Sequence, residues 1–299
     1  MKYRFYTLDV FTDRPFAGNP LAVLPWAEGL DDTKMQSVAK EFNFSETVFV
    51  FPPRDPAHTK RVRIFTPGGE IQFAGHPTVG TAFLLAHLRE AQGDAVVLEE
   101  GVGPVPVSIQ EKDGRLAGAT LSVAKLPEAG PPPPSPEEIA AALSLDPSDL
   151  LMGDYPPQAF TCGTPFLFIP IRDRATLART RLDRTHWESS ISRYWAPKMF
   201  IFAFDPELPG SDIRARMFAP SVGVAEDPAT GSAASAIAGY LGSRRSERDG
   251  TLRWQIEQGF EMGRPSIMRV EADKKEGAIA AVRVGGDCVL VTQGEMEIP

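Results

Sequence analysis

Glu46, His76 and Asp227 are the residues of this chain whose types and settings offer chemistry. Glu46 follows Ser45 and precedes the apolar run Val48-Phe-Val-Phe51. A carboxylate at the edge of an apolar run can have its pKa raised towards working pH, which suits a general acid/base. The plainer alternative is a surface acid, or an ion-pair partner for Arg61 or Arg63. His76 and Asp227 gain weight from an internal repeat. Arg63-Ile-Phe-Thr-Pro67 is followed by His76-Pro-Thr-Val-Gly-Thr-Ala82, and Arg216-Met-Phe-Ala-Pro220 by Asp227-Pro-Ala-Thr-Gly-Ser-Ala233. Copies roughly 150 residues apart suggest two related halves, with the chemistry where the halves meet.

The second part of each copy predicts a helix start. His76 and Asp227 take the N-cap position, and Pro77 and Pro228 the first helical position, where a missing N–H costs nothing. The residues beyond each proline are small and apolar on all sides, so each helix belongs in an interior. The first is expected to end between Glu90 and Gly93, the second near Gly242. Gly80-Thr81 and Gly231-Ser232 leave room for a ligand at the backbone. Free N–H groups near Gly75 to Val79 and Thr230 to Ala233, with the positive end of the helix dipole, would hold an anion, most simply a substrate carboxylate. The alternative is a pair of well-capped core helices with no ligand.

Around them the pattern is mostly strands. Period-2 or β-rich runs cover 3–11, 21–25, 47–51, 61–66, 95–98, 102–109 and 116–124. A helix is expected over 32–41, capped by Asp32 or Thr33. The Pro-rich stretch 126–136 marks a domain boundary, and Ser135 opens a further helix. Strands come next at 161–170 and 199–204, with a mostly helical stretch at 174–195 and a closing meander from Arg253 to Thr292. Many strands with one long helix per half predict an α+β fold, not a doubly wound sheet.

The 299 residues suffice for two domains, and 42% hydrophobic with 23% charged residues is a soluble globular composition. A net charge of −8 argues against nucleic-acid and anionic-membrane partners. No signal-peptide or membrane-length apolar run occurs, so a cytoplasmic location is expected. The four His have no ligand spacing, and no metal is expected. Gly75 to Gly80 lacks the Lys of a phosphate loop, and Gly101-Val-Gly103 is no dinucleotide fingerprint. Cys162 and Cys288 are expected as free thiols.

Six motifs in order carry a resemblance over essentially the whole chain. They are Phe11-Thr-Asp-Arg-Pro-Phe-Ala-Gly-Asn-Pro20, Phe44-Ser-Glu-Thr47, Phe65-Thr-Pro67, Phe73-Ala-Gly-His-Pro77, Glu226-Asp-Pro-Ala-Thr-Gly-Ser232 and Met262-Gly-Arg-Pro-Ser266. Together the sequence resembles PhzF-like proteins, the phenazine-biosynthesis isomerase relatives. Ile71-Gln72 and Phe44 depart from the common Leu-Pro and Leu. The resemblance implies a diaminopimelate epimerase-like fold of two pseudo-symmetric domains, each a bent antiparallel sheet around a central helix, with the active site between them. The expected domains are 1–127 with a returning strand in 286–299, and 128–285. The resemblance further implies a cofactor-independent isomerase in which Glu46 moves a proton between carbons of a small carboxylic-acid substrate. Ser45, Gly75, His76, Asp227, Gly231 and Ser232 match substrate-binding positions, and a homodimer is implied. Two rivals remain. An epimerase using two thiols needs a Cys at each helix start, and none is there; a thiol-independent epimerase stays open. A binding protein that kept the pocket would bind an unsaturated acid without exchanging its proton.

Overall fold

The computed structural model describes residues 1–91 and 93–299. They form two compact units, Met1–Ala124 with Val284–Pro299, and Lys125–Arg283. The first unit runs β1 (Lys2–Val10), β2 (Asn19–Leu24), α1 (Asp32–Phe42), β3 (Glu46–Phe51), β4 (Lys60–Thr66), β5 (Gly69–Ile71), α2 (Gly75–His87), β6 (Ala95–Glu100), β7 (Gly103–Lys112) and β8 (Arg115–Ser122). β1 and β2 are antiparallel, β2 and β3 parallel, β3 and β4 antiparallel, β4 and β6 parallel, and β6, β7 and β8 antiparallel in turn. The last strand of the chain, Ala278–Glu297, lies beside β1 from Lys2↔Glu297 to Val10↔Cys288 and also pairs with β8. That closes the ring into a barrel.

α2 fills the barrel. It packs on β1, β2, β3, β6, β7 and β8 and is buried from Gly75 to Leu85, as its all-round apolar sequence requires. A Cβ at Gly80 would stand 2.7 Å from both Leu21 and Val10, so this glycine lets the helix lie against β1 and β2. That is a packing role, not the ligand room expected of it. β3 reads Glu-Thr-Val-Phe-Val-Phe without alternation because both its faces are covered. α1 packs on its outer side, where Met35, Val38 and Ala39 meet Phe49, Phe51 and Phe65. α1 is capped by Asp31, one residue before the expected cap, and ends on Asn43 in the left-handed region.

The second unit repeats the pairing scheme. It holds β9 (Glu128–Ala129), α3 (Pro136–Ala142), β10 (Gln158–Thr161), β11 (Pro165–Pro170), α4 (Arg174–Arg179), α5 (Arg184–His186, continued by a π-turn to Ile191), β12 (Met199–Ala203), β13 (Ile213–Ala219), β14 (Val224–Asp227), α6 (Gly231–Gly242), β15 (Gly250–Gln258), β16 (Ser266–Lys275) and the start of β17 (Ala278–Glu297). β10–β11, β12–β13, β13–β14 and β15–β16 are antiparallel, while β11–β12 and β13–β15 are parallel. This is the order of senses that β1 to β7 show, so the sequence repeat is a repeat of strand pairing. The strand expected at 161–170 is a hairpin turning at Gly163, whose φ of 115° favours glycine. Ser135 forms a full capping box with Glu138.

Both central helices start elsewhere than the cap pattern predicts. Ala74 is the N-cap of α2, which places His76 inside the first turn. Thr230 is the N-cap of α6, and Asp227 closes β14 instead. Proline is tolerated throughout a first turn, because none of those N–H groups has a partner within the helix. Pro77 therefore could not locate the boundary. α2 also ends at His87, before the expected 90–93.

Candidate functional site

Strand order brings Glu46 to His76. Glu46 is the first residue of β3, paired in register with Leu21 of the parallel β2, whose own first residue is Asn19. His76, from the first turn of α2, sits between them. Its Nε2 is 3.3 Å from Glu46 Oε2, and its Nδ1 is 3.2 Å from Asn19 Nδ2. Asn19 is fully buried, and the side chains of His76 and Glu46 are 5% and 16% exposed. The turn that delivers Asn19 is braced. Thr12 N–H donates to the carbonyl of Asp287, and Phe16 N–H donates to Asp9 at 2.6 Å. Gly18 has φ 65°, and a Cβ there would stand 2.4 Å from the Val10 carbonyl oxygen.

The protonation of His76 follows from these contacts. An amide nitrogen only donates, so Asn19 Nδ2 requires a lone pair on Nδ1. The neutral ring then carries its hydrogen on Nε2, towards Glu46. Burial pushes the imidazole down to about 3, which keeps it neutral at working pH. Nε2 is buried and off the line for a hydrogen bond to Glu46 Oε2 despite the short distance. The result is a carboxylate beside a neutral N–H donor. Ser45 precedes Glu46 at half burial, and Gly75 precedes His76 as the buried first residue of α2.

A buried carboxyl braces the same helix turn. Thr78 Oγ1 is 2.8 Å from the Ala74 carbonyl and 2.6 Å from Glu100 Oε1. One hydroxyl has one hydrogen, and the carbonyl can only accept it. Both contacts are hydrogen bonds when Glu100 carries a proton and donates to Thr78. Burial pushes Glu100 up to about 8, with the Thr78 contact opposing it.

In the second unit, Asp227, Gly231 and Ser232 gather at the start of α6. Thr230 Oγ1 donates to Asp227 Oδ2 at 2.5 Å. Gln258 Nε2 donates to Thr230 Oγ1 at 3.0 Å and to the Asp227 carbonyl at 2.7 Å, and its Oε1 accepts from Thr230 N. Asp227 is therefore held by a network, with Gly231 buried and Ser232 half-buried beside it. Sequence reasoning missed Asn19, Glu100 and Gln258. Asn19 lies inside the first of the six motifs, but its pairing with His76 depends on a parallel strand partner.

Neither Cys162 nor Cys288 is in a disulfide. Cys162 lies in the β10–β11 turn, where burial and then Glu128 push its thiol up to about 12, far from thiolate chemistry. Among the described residues no group of three His, Cys, Asp or Glu is arranged to hold a metal, and no helix is long and apolar enough to cross a membrane.

Known proteins show the same framework. A model of the PhzC-PhzF family, described as "Phenazine biosynthesis-like protein", matches residues 8–294. The chain is 42% identical over 303 residues to an uncharacterized isomerase of Mesorhizobium japonicum, covering 100% of both chains. It is 33% identical over 298 residues, 98% of each chain, to the trans-2,3-dihydro-3-hydroxyanthranilate isomerase of Pseudomonas aeruginosa. Its fold matches the crystal structure of a Bacillus anthracis phenazine biosynthesis protein of the PhzF family, with a TM-score of 0.88 over 100% of both chains at 24% identity.

Proposed function

The chain belongs to the phenazine biosynthesis-like PhzC-PhzF family of isomerases, and from that premise we propose that Glu46 shuttles a proton between carbons of a small carboxylic acid without a cofactor. The observation that carries this is the Glu46–His76 pair, a carboxylate 3.3 Å from a buried neutral imidazole. Glu46 takes a proton from an acidic carbon and returns it to another, acting as base and then as acid. The substrate oxygen that gains charge meanwhile accepts from His76 Nε2–H. A neutral imidazole suits this, since it stabilises the charge without competing for the proton in transit. In the second unit, the network that holds Asp227 and Thr230 at the start of α6 presents polar groups suited to a small acid of the same class. The anthranilate named for the Pseudomonas relative is itself a carboxylate, which supports the substrate class.

The test is exchange of a substrate C–H with deuterated solvent, followed by NMR over a panel of unsaturated carboxylic acids. The parent protein is expected to exchange at least one of them. Glu46→Gln keeps size and hydrogen bonding but removes the base, and should slow exchange on the order of a hundredfold or more with binding retained. Glu46→Asp should fall between, since one carbon less spoils the geometry more than the basicity. Exchange by Glu46→Gln at the parent rate would sink the mechanism.

A further inference from the structure

Away from β3, the edge of β4 changes partner. Its start runs beside β6 as far as Arg61↔Glu99, and its end pairs with β5 from Ile64↔Ile71. Between the two, the sheet forks around a cavity of about 160 Å³ whose lining includes Arg54, Arg61, Arg63, Glu70, Glu99 and Glu100. Most of these charges are already matched. Arg63 holds Glu70 with two bonds of 2.7 and 2.6 Å and reaches Asp32 at 2.6 Å. Glu99 accepts from the backbone N–H groups of Arg54 and Asp55 and contacts His58 Nδ1 at 3.0 Å. Glu100 is buried against Thr78, and burial pushes its carboxyl up to about 8. Two guanidinium groups remain. Among the described residues no carboxylate pairs with the side chain of Arg54 or of Arg61. Arg61 lies over the Phe51 ring at 4.5 Å, and its Nε is buried with no hydrogen-bond partner. Burial, then Arg54, then Arg63, lower the Arg61 pKa from its ordinary value, and Glu99 and Glu70 offset this only in part.

The second unit has the same fork, and there the charge is closed. β13 leaves β15 after Ala215↔Gln258 and meets β14 from Met217↔Asp227. Counting back from the matched Phe65 and Phe218, Arg63 corresponds to Arg216, Arg61 to Arg214 and Arg54 to Glu207. Bonding bears out the match. Arg216 holds Glu226 with two bonds of 2.8 and 2.9 Å, as Arg63 holds Glu70. Glu257 accepts from the N–H groups of Glu207 and Leu208 at 2.9 and 2.6 Å, as Glu99 does from those of Arg54 and Asp55. Arg214, however, is paired with Glu207 at 3.2 Å and Glu261 at 2.9 Å. In the first unit the place of Glu207 is taken by an arginine. The turn after β6 offers Gly101 and Val102, with no acid to stand for Glu261.

We propose that the fork beside β4 binds a small oxyanion, a carboxylate or phosphate group, which lies between Arg61 and Arg54 and supplies the charge that Glu207 and Glu261 supply in the other unit. Arg61 pairs with Phe51, at the opposite end of β3 from Glu46, and binding there does not depend on the Glu46 chemistry. A guanidinium pair recognises both oxyanions through the same charge-assisted bonds.

Calorimetric titration of the full chain with inorganic phosphate and, separately, with malonate tests the site. One saturable site per chain is expected, weakening as salt rises. Binding of either ion alone supports the site and names the group it takes. Arg61→Gln and Arg54→Gln should each lose roughly tenfold or more in affinity, the scale of one charge-assisted hydrogen bond. Arg54→Glu rebuilds the arrangement of the second unit, so it should abolish binding and raise the melting temperature. Glu46→Gln should bind as the parent does. The proposal is overturned by the absence of saturable binding of both ions, by Arg54→Glu binding as tightly as the parent, or by loss of binding in Glu46→Gln alone.

Discussion

Asn19 shows how one amide decides what a histidine can do. By donating to Nδ1 it fixes the hydrogen of His76 on Nε2, where the proposed proton transfer needs a donor. Asn19→Asp replaces the donor with an acceptor of nearly the same shape. The ring should then protonate at Nδ1, and the new carboxylate should raise its pKa by about 1–3 units. Nitrogen NMR of labelled His76 should show a tautomer change and a new ionisation, and turnover should fall at least about tenfold. A His76 that stays neutral with its hydrogen on Nε2 would show that burial, not Asn19, sets its state. Glu46 and His76 were legible in the sequence because each sits in a short motif with a recognisable setting. Asn19 stood in such a motif too, yet nothing local marks it as a partner of a residue 57 positions away.

At the scale of elements, the first turn of α2 is braced by a buried carboxyl. Glu100 is pushed up to about 8 in the folded chain, from an ordinary value of 4.5. Between those two values the folded state holds a proton that the unfolded state has lost, so this group makes stability fall as pH rises from 4.5 to 8. His76 acts oppositely. Its pKa of about 3 against 6.5 unfolded makes stability fall as pH drops from 6.5 towards 3. Glu100→Gln removes the alkaline loss while keeping a donor for Thr78, as Gln258 is for Thr230. Denaturant unfolding should find the variant more stable than the parent at pH 8 by at least about 1 kcal/mol, with the gain vanishing below pH 4.5. Equal stability at pH 8 would mean that Glu100 ionises freely. The helices themselves were readable from their apolar runs. Their starting residues were not, because proline marks a first turn without saying which residue of it.

At the scale of the molecule, the first barrel is made from both ends of the chain. Residues 284–299 lie between β1 and β8 and supply the register partners of Lys2 to Val10. A chain ending at Gly285 would leave two unpaired edges and an uncovered α2. It should fail to give a cooperative thermal transition for the first unit and should aggregate on size-exclusion chromatography. A monodisperse, fully folded truncation would show the closing strand to be dispensable. Two related halves were visible in the spacing of Arg-x-Phe-x-Pro. The charge reversal from Glu207 to Arg54 was visible too, seven residues upstream of matched arginines, but it acquires meaning only when the fork brings those positions together.

The pairing of the first strand with the last also governs the order of events on the ribosome. The second unit is contiguous, and each of its strands meets partners already synthesised or soon to emerge. The first unit emerges earlier yet must wait while residues 125–283 are made, on the order of ten to thirty seconds at ordinary translation rates. During that wait β1 and β8 present open edges, the condition in which nascent chains recruit chaperones or pair with one another. Once residues 284–299 emerge, Met1 and Ile298 are tied by two backbone hydrogen bonds of 2.7 and 2.8 Å. The unit that carries Glu46 and His76 therefore cannot close its barrel until residues 284–299 have been made.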